Sequence, residues 1–173
     1  ISICAGLPTR AVEALVPGRV VRAMPNLPAL VRRGLTAICA GARATAADLD
    51  LAEELFAAVG AVVRLPEKLM NEVTALSGSG PGYVFAFLEA MEAAAVAMGL
   101  PPDTARRMAV ETVRGAAELA VQTREEPAEL RRRVSSKGGT TLAGLAALEA
   151  GGFSAAVAAG MKAARDRAAE LAR

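Results

Sequence analysis

The sequence contains no histidine and no tryptophan, and aromatic residues make up only 3% of its 173 residues. The absence of histidine removes the commonest general base and the commonest zinc ligand, and no clustered carboxylates take its place. We therefore expect no metal site. The two cysteines, Cys4 and Cys39, lie in apolar contexts that are typical of small core residues, so we expect neither a disulfide nor redox chemistry at cysteine.

An excess of charge of one sign is also lacking, because 20 basic and 18 acidic residues are interspersed and leave a net charge of only +2. This balance argues against a nucleic-acid partner. The longest apolar stretch, residues 84–100, is interrupted by Glu89 and Glu92, which argues against a membrane span. The first residues resemble no secretory signal, so the expected location is cytoplasmic.

The first third of the sequence alternates between strand and helix patterns. Four short apolar runs, at residues 1–4, 20–23, 35–40 and 61–65, predict strands. A helix is predicted over residues 46–59, because Thr45 and Asp48 have the spacing of a capping box. The short connection between the second and third strands predicts an antiparallel pair and therefore a mixed sheet. The first strand has no earlier neighbour, so we expect further chain to precede Ile1.

From about residue 67 onward strand patterns disappear and apolar residues recur at helical spacing. We therefore divide the chain into residues 1–66, with α/β character, and residues 67–173, with all-α character. Alanine-rich stripes on two helices predict close packing and a core that a second copy completes by dimerisation, with a self-contained monomeric bundle as the alternative. The stripes consist of Ala105, Met108, Ala109, Thr112, Ala116 and Leu119, and of Val157, Met161, Ala164, Ala168 and Leu171.

The most informative segment for chemistry is the turn VSSKGGTT, which begins at Val134 and precedes an apolar helical run. Its glycines, Gly138 and Gly139, expose backbone N–H groups, the two threonines offer hydroxyls, and the N-terminus of the following helix favours negative charge. These features predict a site for a small carboxylate, with a simple helix cap as the alternative.

Three further loops are candidates for function. Residues 4–8 and 24–26 each follow a predicted strand, and ligands of open α/β sheets bind at the carboxyl ends of strands, so the two loops would border one crevice. The glycine-rich turn at residues 77–81 is interpreted as an interhelix turn with Pro81 in the first turn of a helix. Close approach of its backbone to a ligand or a partner chain is the alternative.

These four segments occur together in the order found in pyrroline-5-carboxylate reductases, and the sequence resembles that family over nearly its whole length. The motifs that carry the resemblance are VVRAMPNLPALVRRGLTAI, LSGSGPGYVFAFLEAM, GLPPDTARRMA and VSSKGGTTLAGLAALEAGGF. The resemblance implies an α/β part followed by an all-α dimerisation domain. The α/β part would be an incomplete Rossmann-like mixed sheet that binds NADPH or NADH. It also implies an oxidoreductase of proline biosynthesis that reduces the C=N bond of Δ1-pyrroline-5-carboxylate and so forms L-proline. The enzyme would be a homodimer or higher homo-oligomer.

The same resemblance implies site residues by position. The nicotinamide end of the cofactor site would be lined by Ala5, Gly6, Met24, Pro25 and Asn26. The substrate carboxylate and ring would be held by Ser136, Gly138, Gly139, Thr140 and Thr141. Thr141 is the expected catalytic residue, through a hydrogen bond near the imine nitrogen. Hydride transfer to a protonated imine needs orientation and exclusion of water rather than a strong base, so a site without histidine suits the reaction.

The sequence departs from the family pattern in two ways. Lys137 stands where the family more usually has proline, and no G-x-G-x-x-G turn follows a strand. Because that turn binds the cofactor pyrophosphate in the family, we expect this chain to be a fragment that is inactive and does not bind a dinucleotide by itself. Two other functions stay open. One is a related hydroxy-acid dehydrogenase with Lys137 or Lys162 as its acid/base, and the other is a non-enzymatic helical dimerisation module.

Overall fold

The computed structural model describes residues 1–171 of the chain. These residues form two compact units. One unit contains Ile1–Tyr83 together with the segment from Ala158 onward, and the other contains Val84–Val157. The boundary after residue 66 that the sequence suggests stays a prediction.

The first unit is built on a three-stranded sheet. Its elements are α1 (Thr9–Leu15), β1 (Val21–Met24), β2 (Gly34–Ala40), α2 (Ala46–Ala57), β3 (Gly60–Arg64) and α3 (Met70–Val73). Turns of 3-10 helix at Leu27–Val31 and Glu67–Leu69 precede β2 and α3. A π-helical turn, Thr74–Gly78, connects α3 to α4 (Gly80–Ala97), which continues into the second unit.

The second unit is helical throughout. It contains α5 (Pro102–Thr123), α6 (Pro127–Arg133), α7 (Thr140–Ala150) and the start of α8 (Phe153–Leu171). No strand occurs between residues 67 and 171, which confirms the predicted change to helical structure. Within the described residues no single helix is long and apolar enough to cross a membrane. The bent pair α7 and α8 would be long and apolar enough only if the two helices are taken together.

The sheet is mixed, as predicted. β1 is antiparallel to β2, with Arg22 opposite Cys39, and β2 is parallel to β3, with Thr36 opposite Val62. The predicted helix after Thr45 is also confirmed and ends at Ala57. Its capping box is complete, because the Thr45 hydroxyl accepts a hydrogen bond from the Asp48 N–H and the Asp48 carboxylate accepts one from the Thr45 N–H.

The predicted strand at residues 1–4 is wrong. Only Ser2 pairs with β1, in a single parallel bridge opposite Arg22. The Ser2 N–H donates to the Val21 carbonyl and the Ala23 N–H donates to the Ser2 carbonyl, both at 2.8 Å. The segment has β1 on one side and no described strand on the other, and it turns at Ala5 and Gly6, so no ladder develops. Cys4 is consequently exposed, contrary to the predicted core position.

The two faces of the sheet carry separate small cores. Val21, Ala23 and Ile38 pack with Ala52 of α2 on one face. On the other face Ala37, Cys39 and Met70 form the second cluster. Burial, aided by the negative charge of Glu67, raises the pKa of Cys39 to about 11, so the thiol stays protonated at neutral pH and serves as a small core residue, as predicted.

An ionic network fixes the start of α1. The Glu67 carboxylate accepts hydrogen bonds from the Thr9 N–H at 2.6 Å and the Thr9 hydroxyl at 2.7 Å, and it pairs with the Arg22 guanidinium at 3.5 Å. Arg22 is 3% exposed, and its Nε and Nη2 have no hydrogen-bond partner among the described residues. Glu67 is therefore the carboxylate that compensates a buried guanidinium.

Partial burial by itself would raise the pKa of Glu67. The two hydrogen bonds from Thr9 and the charge of Arg22 outweigh that effect, and the pKa lies below its usual range. A carboxyl whose pKa is depressed on folding adds stability above its unfolded pKa, and this stability is lost as the pH falls through the folded-state value.

We predict that Glu67→Gln lowers the free energy of unfolding at pH 7 by about 2 kcal/mol, because the buried Arg22 then lacks a counter-charge. The loss should shrink as the pH falls below the usual glutamate pKa, because the unfolded chain then binds a proton at position 67, and it should vanish below the lower folded-state pKa, where Glu67 is protonated in the native wild type as well. Urea unfolding between pH 3 and pH 7 measures both effects. Glu54→Gln, at an exposed position, is the control, and equal losses in the two variants would contradict the prediction.

Two glycines allow β2 and β3 to begin side by side. Gly60 has a φ of +153°, and a methyl group on its Cα would overlap the backbone of Gly34. The Gly34 N–H donates to the Val59 carbonyl at 3.0 Å. Glycine is thus required at position 60 by both backbone conformation and space.

We predict that Gly60→Ala destabilises the protein by about 3 kcal/mol, since the added methyl group must displace a backbone segment that forms the sheet. Thermal and urea unfolding measure the change. Gly18→Ala is the matched control, because a methyl group there would meet no atom within 4 Å. A loss at position 60 no larger than at position 18 would show that the strand start adjusts freely.

Candidate functional site

The glycine turn of the second unit lies between α6 and α7. Gly138 has a φ of +71°, and Gly139 is the extended residue directly before α7. The Gly139 N–H donates to the Ser136 carbonyl at 2.9 Å, which closes the turn. The chain therefore reaches the N-terminus of α7 through a tight, backbone-bonded turn.

No side chain caps α7 among the described residues. Gly139 stands at the N-cap and has no side chain to accept a hydrogen bond, and the Ser135 hydroxyl instead donates to the Arg131 carbonyl at 2.7 Å. The hydroxyls of Ser136, Thr140 and Thr141 make no hydrogen bond to any described residue. The first N–H groups of a helix have no intrahelical acceptor, so those of Thr140 and Thr141 are available to a ligand. The simple helix cap is thus not the role that these hydroxyls have in the structure.

The electrostatic field at this turn favours an anion. The partial positive charge of a helix N-terminus lies at Thr140 and Thr141, and Lys137 is exposed in the turn without an ion pair to any described residue. Two of the three arginines of α6, Arg132 and Arg133, are compensated by carboxylates. Arg132 donates to Glu129 at 2.8 Å, which holds the pKa of Glu129 below its usual range, and Arg133 pairs with Glu125.

The predicted cofactor loops lie in the first unit. Because Ser2 runs parallel to β1, the loop at Ala5 and Gly6 and the loop at Met24 and Pro25 leave the same end of the sheet. Ala5 is exposed, and Met24 and Pro25 are half-buried. Their small or apolar side chains fit the ring end of a nicotinamide cofactor.

Gly6 differs from the other loop residues in its burial and its backbone conformation. It is buried with a φ of +75°, and a methyl group on its Cα would lie 2.7 Å from the Cβ of Leu171 in α8. Gly6 thus permits the end of α8 to pack on the loop. Its glycine identity is explained by this contact and by its backbone conformation.

Asn26 has both ends of its amide engaged within the first unit. Its Oδ1 accepts a hydrogen bond from the Leu35 N–H at 2.9 Å, and its Nδ2 donates to the Ser77 carbonyl at 3.0 Å. The motif around Asn26 identified this loop from the sequence, but Ser77 lies far along the chain and no local pattern predicts the contact. The same holds for Glu67 and Thr9.

The structure therefore brings the ten predicted residues together as two groups, one in each unit. The groups are Ala5, Gly6, Met24, Pro25 and Asn26 in the first, and Ser136, Gly138, Gly139, Thr140 and Thr141 in the second. Lys162, the alternative acid/base, pairs with Asp166 at 2.7 Å on the surface of α8. Among residues 1–171 no group of three or more cysteine, aspartate or glutamate side chains has an arrangement that would hold a metal ion.

Comparison with known proteins gives one consistent result. Residues 67–171 match the family model described as pyrroline-5-carboxylate reductase dimerisation. The chain is 45% identical over 172 residues to the pyrroline-5-carboxylate reductase of Synechocystis, covering 99% of this chain and 64% of the relative. It is also 45% identical over 175 residues to that of Pseudomonas aeruginosa, with the same coverage of both chains.

Solved structures agree with the sequence matches. A pyrroline-5-carboxylate reductase from Coxiella burnetii superposes with a TM-score of 0.94 at 38% identity, covering 99% of this chain and 65% of that one. The Plasmodium falciparum pyrroline carboxylate reductase, solved with NADP bound, gives a TM-score of 0.93 at 30% identity, covering 99% and 70%. The chain spans 64% of the length of the first curated relatives that it matches. On these matches in sequence and fold, the chain belongs to the pyrroline-5-carboxylate reductase family.

Proposed function

We propose that this chain forms part of an enzyme that reduces Δ1-pyrroline-5-carboxylate to L-proline with NADPH or NADH, the last step of proline biosynthesis. The observation that carries the proposal is the start of α7, where backbone N–H groups and three hydroxyls are left without a partner among the described residues. Family membership supports the same reaction.

The glycine turn would bind the substrate carboxylate. The N–H groups of Thr140 and Thr141 would donate to it, together with the Ser136 hydroxyl, and the helix dipole favours the negative charge. Gly138 and Gly139 would let the carboxylate approach the backbone without a side chain in the way. A small cyclic amino acid is the class of ligand that such a compact cradle fits.

Thr141 would fix the ring by a hydrogen bond near the imine nitrogen. A protonated imine already accepts hydride, so the protein has to orient the C=N carbon and exclude water rather than supply a base. The cofactor supplies the hydride when it is bound. Ala5, Met24 and Pro25 would provide the apolar surface against which the nicotinamide ring is held.

The helical unit would assemble with a second copy. Apolar side chains on α4 remain exposed in the single chain, with Tyr83 at 39%, Phe85 at 49% and Phe87 at 40%. On α5 the predicted stripe is only partly buried, since Ala105 and Ala109 are covered while Met108 and Leu119 are exposed. Large apolar surfaces of this kind are typical of obligate interfaces, which supports a homodimer or higher homo-oligomer.

We predict that Thr141→Val lowers kcat/KM for Δ1-pyrroline-5-carboxylate by about 100-fold, because the hydroxyl is lost while the shape is retained. Thr141→Ser, which keeps the hydroxyl, is the matched control and should stay within about threefold of the wild type. The measurement follows NADPH oxidation by the protein expressed from its full reading frame. Reduction of 2-oxo acids to hydroxy acids, or no turnover of either substrate class by the wild type, would contradict the proposed reaction.

We predict that Phe85→Glu converts the oligomer to monomers, because a charge would have to be buried in the interface without a partner. Analytical ultracentrifugation at micromolar protein concentration measures the change. Phe85→Leu retains apolar character and should leave the assembly intact. An unchanged sedimentation coefficient for Phe85→Glu would place the interface on other helices.

A further inference from the structure

The junction between the π-helical turn and α4 contains a backbone carbonyl that its own helix cannot satisfy. In an α-helix the carbonyl of residue i accepts a hydrogen bond from the N–H of residue i+4. For Ser77 that residue is Pro81, which has no N–H. In a π-helical turn the donor would be residue i+5, which is Gly82, but the Gly82 N–H donates to the Ser79 carbonyl at 2.9 Å. The Ser77 carbonyl therefore needs a donor from elsewhere in the molecule.

The Asn26 side chain is that donor. Its Nδ2 lies 3.0 Å from the Ser77 oxygen, and both residues are partly buried. The other end of the same amide accepts from the Leu35 N–H at 2.9 Å, which fixes the orientation of the side chain. Position 26 requires a side chain that donates to the Ser77 carbonyl and accepts from the Leu35 N–H, and the asparagine amide does both.

A second contact joins the same two segments. The Cε of Met24 lies 2.7 Å from the position that a Cβ on Gly78 would take, so the methionine methyl group fills the space beside this glycine. The loop at Met24 and Pro25 is thus held against the turn by packing on one side and by the Asn26 hydrogen bond on the other.

We propose that Asn26 is a positioning residue that replaces the hydrogen bond removed by Pro81 and thereby holds the Met24–Pro25 loop in place. The functional part of this inference rests on the proposed reductase activity, in which Met24 and Pro25 support the nicotinamide ring. Asn26 then acts through its neighbours, because its amide is already engaged by Leu35 and Ser77. Loss of the Ser77 bond leaves a half-buried carbonyl unpaired and releases the loop.

The test is a cycle of Asn26→Ala, Pro81→Ala and the double variant, made in the protein expressed from its full reading frame. With Pro81 present, Asn26→Ala should lower kcat/KM for NADPH by about tenfold, chiefly through KM, and lower the melting temperature. In the Pro81→Ala background, position 81 has its own N–H for the Ser77 carbonyl, so the kinetic loss should shrink to about threefold. The remainder reflects the lost bond to Leu35.

Asn26→Asp separates the two hydrogen bonds of the amide. The carboxylate keeps an acceptor for the Leu35 N–H but presents an oxygen to the Ser77 carbonyl, so with Pro81 present this variant should lose at least the share of about threefold that the Ser77 bond contributes. Activity retained by Asn26→Asp would overturn the inference. Equal losses from Asn26→Ala with and without the Pro81→Ala substitution would overturn it as well.

The cycle also distinguishes this inference from the proposed function. Unfolding temperatures report the coupling between positions 26 and 81 whether or not the protein reduces an imine. A wild type without reductase activity would contradict the proposed function, and the unfolding cycle would still decide whether Asn26 replaces the missing bond. A coupling seen in unfolding without any change in the KM for NADPH of an active enzyme would overturn the positioning role.

Discussion

Backbone polar groups at helix ends have to be satisfied, and this constraint organises most of the contacts described above. The carboxylate of Glu67 satisfies the first N–H of α1, the capping box of Thr45 and Asp48 satisfies α2, and Asn26 supplies the donor that the junction before α4 lacks. At α7, by contrast, the chain brings no side chain to the helix start within the described residues. This open helix end is the one for which a carboxylate ligand is proposed.

The distance in sequence between partners decided what could be predicted. The capping box was predictable because Thr45 and Asp48 are three residues apart and their chemistry is local. The mixed sheet followed from one short connection. The contacts of Glu67 and Asn26 span 58 and 51 residues, and no pattern in either segment points to the other. The strand at residues 1–4 failed for the opposite reason, since this locally favourable run has no second neighbouring strand among residues 1–171.

The helices of the second unit were evident from apolar spacing, but their burial was not. Spacing indicates which side chains share a face and leaves open what covers that face. In α4 the apolar side chains point in several directions and none is fully buried in the single chain. This is the pattern of a helix that is surrounded by protein on all sides, and the proposed assembly of the helical unit with a second copy would account for it. The glycine turn before α7 belongs to the same unit, so assembly and substrate binding would be properties of one helical scaffold.

The packing of Leu171 on Gly6 has a consequence for biosynthesis. The first unit is discontinuous in sequence, because its loop near the beginning of the chain is covered by a helix from the far end. During translation the loop at Gly6 would be made long before α8, which covers it. Contacts between positions so remote in sequence slow folding, because the intervening chain has to be ordered before they form.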